Sequence, residues 1–314
     1  MNLEQEKVIV KVPHRISGFF EIVDEIGGKT IKDPVKIGSR GAGFNLNAFG
    51  ITKIKLLSAD TKDKIFINGF ELNEKAETTY FIVDYIKKFM NCSINVEIHH
   101  DFDLPVGCGY GASGVGALGT IFGLARLLRI SIPRREKIKI AHISEVINRT
   151  GLGTICGQIT GGLCILKEPG FPCTSKKVEI PKNLTVVCGT FGIIHTKSIL
   201  NDPKISGVIK KEGNIALQKL LQKPNIKNFL KSSIQFVKNT KITSFLSLNF
   251  VNELMENLNK LKITGASMNQ LGRSVYAICD KVSLKEVLEV FETFKPNIKI
   301  FQTSIYEGDA INFI

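Results

Sequence analysis

Pro105-Val106-Gly107-Cys108-Gly109-Tyr110-Gly111-Ala112-Ser113-Gly114 runs directly into an apolar stretch that ends at Leu128. Glycine lets a backbone turn its N–H groups toward one point and lets a ligand come close. From Ser113 onward the spacing is helical, with Val115, Leu118, Phe122 and Ala125 on one face. A glycine-rich loop that feeds a helix N-terminus is an anion site, because unpaired N–H groups and the helix dipole both favour negative charge. The ligand implied is a nucleotide phosphate. An ordinary turn would carry this many glycines at an entropic cost and to no purpose.

Three other readings of the loop fail on context. Gly109-x-Gly111-x-x-Gly114 is a literal dinucleotide fingerprint, but Asp101–Val106 separates it from the preceding strand and the region around Arg134-Arg135-Glu136 is helical. No Gly-Lys-Ser/Thr follows, so a Walker A loop is absent. Val106–Ala125 is uncharged and long enough to span a bilayer, and Gly119-x-x-x-Gly123 resembles a membrane packing motif. Its glycines crowd the first half, and no comparable second segment exists. A loop followed by a buried core helix is the expectation, with no membrane partner.

The chain has 314 residues, enough for two lobes with substantial cores. Its N-terminus lacks signal-peptide character. Seven cysteines at 92, 108, 156, 164, 173, 188 and 279 form no Cys-x-x-Cys pair. That scatter predicts reduced thiols, a cytoplasmic location and no structural zinc. The net charge of +13 would suit an anionic macromolecule, yet the basic residues are dispersed and no stripe with interleaved aromatics is visible. Solvated helix faces account for them, and no nucleic-acid partner is expected.

Strands are expected at 8–12, 19–23, 53–57, 94–98, 163–166, 184–188, 274–278 and 298–302. Helices are expected at 78–90, from Ser113 to Leu128, from Pro133 to about Asn148, and at 205–222, 225–239, 244–261 and 284–294. Breakers between Glu168 and Lys177 suggest a boundary, giving lobes 1–172 and 173–314. Strands and helices mix without regular βαβ alternation, so the fold class is α+β.

Four segments together resemble the GHMP kinase family, whose members phosphorylate small metabolites from ATP. They are Val12–Phe20, Pro105–Gly114, Ala141–Glu145 with Thr150-Gly151-Leu152-Gly153 and Gly161-Gly162, and Gly265–Gly272. Pro13-His14-x-Ile16-x-Gly18-Phe19-Phe20, Gly38-Ser39-Arg40-Gly41-Ala42-Gly43, His195–Leu200 and Ser267-Met268-x-x-Leu271-Gly272 are closest to its archaeal pantoate-phosphorylating branch. The resemblance implies a two-lobed fold, with an N-terminal lobe like domain 2 of ribosomal protein S5 and a ferredoxin-like C-terminal lobe. It also implies ATP and Mg²⁺ as cofactors, a homodimer, and conversion of (R)-pantoate to (R)-4-phosphopantoate for coenzyme A synthesis.

Roles follow position by position. Gly107, Gly109, Gly111, Ala112, Ser113 and Gly114 would hold the nucleotide. Ser113 and Glu145 would ligate the metal, and His14, Ser39 and His142 would meet pantoate. Alone, Ser113 reads as a helix cap and Glu145 as an exposed helix residue; their co-occurrence at the family spacing favours ligation. Arg15 and Arg40 could attract an anionic substrate, but solvated arginine is the default reading. Two positions depart from the family. Thr154 stands where an aspartate would accept the substrate's hydroxyl proton, and Leu166 stands where an arginine would meet its carboxylate. Thr154 is therefore the candidate at the catalytic position. The departures keep two alternatives open: a kinase for homoserine, mevalonate or shikimate, and a catalytically weak nucleotide-binding regulator.

Overall fold

The structure, a computed structural model, describes residues 7–194 and 202–314. Two long antiparallel strands organise it, β1 (Val8–Val23) and β4 (Gly38–Leu57). A two-residue hairpin, β2 (Glu25–Ile26) with β3 (Lys29–Thr30), lies between them. There follow β5 (Lys64–Ile67), β6 (Phe70–Glu71), α1 (Glu77–Met90), β7 (Asn95–Phe102), α2 (Ala112–Leu127), α3 (Arg134–Asn148), α4 (Thr154–Thr160), β8 (Leu163–Leu166) and β9 (Ser175–Val178). The remainder comprises β10 (Thr185–Thr190), α5 (Pro203–Gln222), α6 (Ile226–Thr240), α7 (Ile242–Phe245), α8 (Asn249–Leu258), β11 (Gly265–Met268), β12 (Ser274–Cys279), α9 (Leu284–Glu292), β13 (Lys299–Thr303) and β14 (Asn312–Phe313).

The first sheet has the order β14-β1-β4-β7-β5-β6, with β8 joining β4 and β9 joining β8. The second has the order β11-β12-β10-β13 and is antiparallel throughout. The segments expected as strands at 8–12 and 19–23 are one strand. Its ladder to β4 survives two register shifts, between Pro13 and Arg15 and between Ser17 and Phe19. Proline is tolerated at such a bulge, where no ladder N–H is needed. β1 thereby crosses two cores. Val10 and Val12 pack with Ile54, Leu118 and Ile121 under the first set of helices. Ile16, Phe19 and Phe44 pack with Tyr276, Phe229 and Val187 of the second. The crossing segment is the floor of the site described below.

Helix α2 explains the uncharged run. All of its residues are buried except Ser113 and Arg126. It lies so close to the sheet that a Cβ at Gly119 would overlap Thr52, and one at Gly123 would sit 2.7 Å from Ile54 Cδ1. The spacing that resembles a membrane motif is thus a helix-on-sheet contact, and among the described residues no helix is long and apolar enough to cross a membrane.

Three expectations need correction. β9 pairs with β8, so the first sheet runs past residue 172 to Val178, and β14 returns to β1 from the C-terminus. A polar, proline-containing loop inside a sheet reads locally like a boundary. The helix expected over 244–261 is two, broken where Ser247 takes φ 53°. Reduced thiols were expected throughout, yet Cys156 and Cys173 form a disulfide, their Cα atoms 5.2 Å apart. The loop after β8 folds back over α4, a proximity that sequence spacing does not reveal. The segment His195–Leu200 lies outside the described residues.

Candidate active site

The glycine loop takes the shape its sequence demands. Gly107, Gly109 and Gly111 have φ of 76°, 90° and 69°, a region closed to most side chains. They alternate with Cys108 and Tyr110, and turns of this kind can aim successive N–H groups at an anion. Gly111 is the N-cap of α2 and no side chain caps that helix. The first intrahelical bond is Val115 N–H to Gly111 O, 3.1 Å, which leaves the N–H groups of Ala112, Ser113 and Gly114 for a ligand. The second lobe clamps the loop from behind: Ser274 Oγ donates to Cys108 O at 2.8 Å and Ile194 N–H to Gly107 O at 2.9 Å.

Ser113 does not cap α2. Its hydroxyl donates to Glu145 Oε1 at 2.6 Å, across from α2 to α3. Glu145 is 1% exposed and has no cationic partner among the described residues. Burial pushes its carboxyl from 4.5 up to about 7, opposed by hydrogen bonds from the Ser113 hydroxyl, the Ile155 N–H and the Thr154 hydroxyl. An uncompensated buried carboxylate beside a hydroxyl supplies the hard oxygen donors that suit Mg²⁺, which commonly takes one or two carboxylates and completes its shell with phosphates and water. No cluster of three or more acidic, histidine or cysteine side chains occurs among the described residues, so a multi-carboxylate cage is not what the chain offers. Gly151 keeps this corner open: a Cβ there would lie 2.7 Å and 2.8 Å from the two Glu145 oxygens and 2.8 Å from Thr154 Oγ1.

These groups line a cleft of about 650 Å³, together with Ser17, Phe19, Phe20, Ser39, Arg40, Leu166, Gln270 and Leu271. Ser39 lies at its edge, with its N–H on Leu152 O at 3.1 Å. Gly107, Gly109, Gly111, Ala112, Ser113, Thr154 and Ser39 therefore border one space; Glu145 reaches it through Ser113.

The two histidines do not border it. His14 is fully buried and its Nδ1–H donates to Tyr110 O at 3.0 Å, its ring edge-on to Phe102. It braces the glycine loop from behind, and burial lowers it to about 4, so it is neutral. His142 is 1% exposed and its Nε2–H donates to Ile37 O at 3.0 Å, holding the turn that leads to Ser39. Its pKa is also lowered by burial. Each therefore uses one ring nitrogen on a backbone carbonyl and stands behind the cleft lining, and the buried Nε2 of His14 has no partner among the described residues.

Arg15 is the residue that sequence reasoning set aside as solvated. It is 3% exposed, not solvated, and it lines the cleft. The available signal was a lone charge inside the otherwise uncharged stretch Val12–Phe20. Arg40, by contrast, is neutralised by Glu21 through a fork at 3.0 Å and 2.8 Å.

Known proteins resemble this chain over most of its length. The family described as GHMP kinases N terminal domain matches residues 77–162. The pantoate kinase of Methanocaldococcus jannaschii is 30% identical over 282 residues, covering 89% of this chain and 96% of that protein. The pantoate kinase of Thermococcus kodakarensis is 29% identical over 278 residues, covering 85% and 86%. A solved structure titled as a phosphotransferase related to the CoA biosynthesis pathway superposes with a TM-score of 0.84 at 24% identity, covering 98% of both chains.

Proposed function

The chain belongs to the GHMP kinases, and from that membership we propose that it transfers the γ-phosphate of ATP to the terminal hydroxyl of pantoate. The product is 4-phosphopantoate, for coenzyme A synthesis. The pairing of Ser113 with Glu145 at the open N-terminus of α2 carries the kinase chemistry. The near full-length similarity to two pantoate kinases supports the acceptor.

Phosphoryl transfer passes through a loose transition state, so positioning and charge neutralisation dominate. The N–H groups of the glycine loop and of Ala112–Gly114 receive the phosphates. Glu145 and Ser113 would hold Mg²⁺, which when bound neutralises charge on the phosphate oxygens. Ser39 offers a hydroxyl to the acceptor. Thr154 supplies no base, and a base is worth about 10²–10⁴-fold where one acts; a transition state with little bond formation to the attacking oxygen needs it least. The first lobe brings phosphate loop and metal ligands, and the second closes the cleft through Gln270 and Leu271. A homodimer and a cytoplasmic location, where ATP is supplied, complete the reading; a sedimentation mass of one chain would remove the dimer.

Phosphorus NMR of the protein with ATP, Mg²⁺ and pantoate tests the conclusion. A new phosphomonoester resonance with stoichiometric ADP is expected. Turnover of homoserine, mevalonate or shikimate with none of pantoate would overturn the acceptor, and turnover of none would leave a nucleotide-binding regulator.

A further inference from the structure

We infer that the Arg15 guanidinium receives the carboxylate of the acceptor, and that Arg15 thereby selects for an anionic alcohol; this rests on the kinase reading of the cleft. Arginine stays charged in proteins and carries five N–H donors in a planar fork. Burying that charge without a counter-ion is unfavourable, so a buried guanidinium is normally paired. Arg15 is 3% exposed, yet no described carboxylate pairs with it. Its side-chain partner is Asn45, with Nη1 donating to Oδ1 at 3.4 Å, the long end of the hydrogen-bond range.

The surroundings are shaped for the flat group. A Cβ at Gly157 on α4 would overlap Nε and Cζ of Arg15; one at Gly43 on β4 would overlap the Ile16 carbonyl oxygen first and would also lie 3.0 Å from Nη2. The guanidinium therefore occupies a slot between two glycine backbones. The other cleft arginines are already engaged: Arg40 by Glu21, and Arg149, the left-handed cap of α3, by an interaction of its own. Arg15 also stands beside the reacting end. The Cβ position of Gly111 is 3.7 Å from Arg15 Cβ and 2.9 Å from Thr154 Cγ2. The two oxygens of a carboxylate match the fork, as those of a phosphate do; with the glycine loop holding the phosphates, a hydroxy acid would present its carboxylate to Arg15 while its hydroxyl faces that loop.

The test compares pantoate with pantoamide, which keeps the hydroxyls and replaces the carboxylate by a neutral amide. Wild type should prefer pantoate by about 10²-fold in kcat/KM, the range for a desolvated charge pair. Arg15→Met should raise the pantoate KM about 10²-fold and bring the two acceptors within a few-fold of each other. ATP affinity by equilibrium dialysis should stay within about threefold of wild type, and pantoamide turnover should fall far less than pantoate turnover. Arg15→Lys should recover part of the preference, as a point charge without the fork. Equal losses for both acceptors would overturn the inference and assign Arg15 to the transferred phosphoryl group. An unchanged ratio would overturn it as well. Where Arg15→Met does not fold, Arg15→Lys decides, since a wild-type ratio in that variant is the overturning result. If wild type phosphorylates neither compound, the pantoate reading fails on its own, and Arg15 is judged by the same ratio on whichever hydroxy acid and amide the enzyme accepts.

Discussion

Glu145→Gln separates the functional demand on Glu145 from its structural cost. Burial pushes its carboxyl from 4.5 up to about 7. At about 1.4 kcal/mol per pH unit, ionising it in the folded, metal-free protein costs about 3 kcal/mol. Between pH 4.5 and 7 the folded state keeps a proton that the unfolded chain has released. Stability from this group is therefore full below 4.5, falls as pH rises through that window, and is flat above about 7. Glutamine at 145 keeps an oxygen for the Ser113 hydroxyl and does not titrate.

Thermal melts of both proteins without nucleotide or metal check this. Glu145→Gln should match wild type near pH 4.5 and exceed it by up to about 3 kcal/mol at pH 8, roughly 5 °C in a chain of this length. His14 and His100, each held neutral down to about 4 by burial, lower the stability of both proteins alike below 6.5 and cancel in the difference. Activity should move the other way: the variant loses its carboxylate metal ligand, so kcat should fall by about 10²-fold or more, and Mg²⁺ with ATP should raise its melting temperature less than that of wild type. A melting difference that does not change between pH 4.5 and 8 would refute the reasoning, because it would mean that Glu145 titrates alike in both states.

Gly111→Val places a branched side chain at φ 69°, where even a Cβ meets Thr154 Cγ2 at 2.9 Å. ATP affinity should drop at least tenfold in a protein with wild-type helix content, and unchanged affinity would remove the loop from the phosphate site. Thr154→Asp introduces a carboxylate near both Glu145 and Arg15. The pantoate KM should rise, by competition for Arg15, with no gain in kcat; a higher kcat at constant KM would show that the natural enzyme simply lacks a base.

The parts of this site that were legible in the sequence are those fixed by local chemistry. Gly107, Gly109 and Gly111 are needed because three left-handed residues in five positions exclude side chains. Ser113 and Glu145 stand on two helices whose periods could be read. The helix over Ala112–Leu127 was visible from its apolar spacing, and the glycine contacts with Thr52 and Ile54 explain its composition. What was not legible depends on contacts far apart in the chain. His14 bonds a carbonyl 96 positions away and His142 one 105 positions away. An imidazole suits a ligand and a backbone carbonyl equally well, so its identity cannot tell the two apart. The disulfide between Cys156 and Cys173 likewise depends on a loop folding back over α4. The default for Arg15 was a solvated side chain because arginine is usually exposed; only the contact of Gly157 with its guanidinium, made across the fold, shows that space is left for it.

The two departures from the family pattern acquire a physical meaning together. Thr154 replaces an expected negative charge and Leu166 an expected positive one, so the cleft's net charge is unchanged. What remains is one buried carboxylate, Glu145, without a cation, and one buried guanidinium, Arg15, without an anion among the described residues. An aspartate at 154 would stand beside Gly111, as Arg15 does, and would compete for it. On the inference drawn for Arg15, its absence leaves the guanidinium to the acceptor, and an arginine at 166 is then not required for the carboxylate. The two departures are thus what an anion site at Arg15 would require, and Gly157, where a Cβ would overlap the guanidinium, is the residue that leaves room for it.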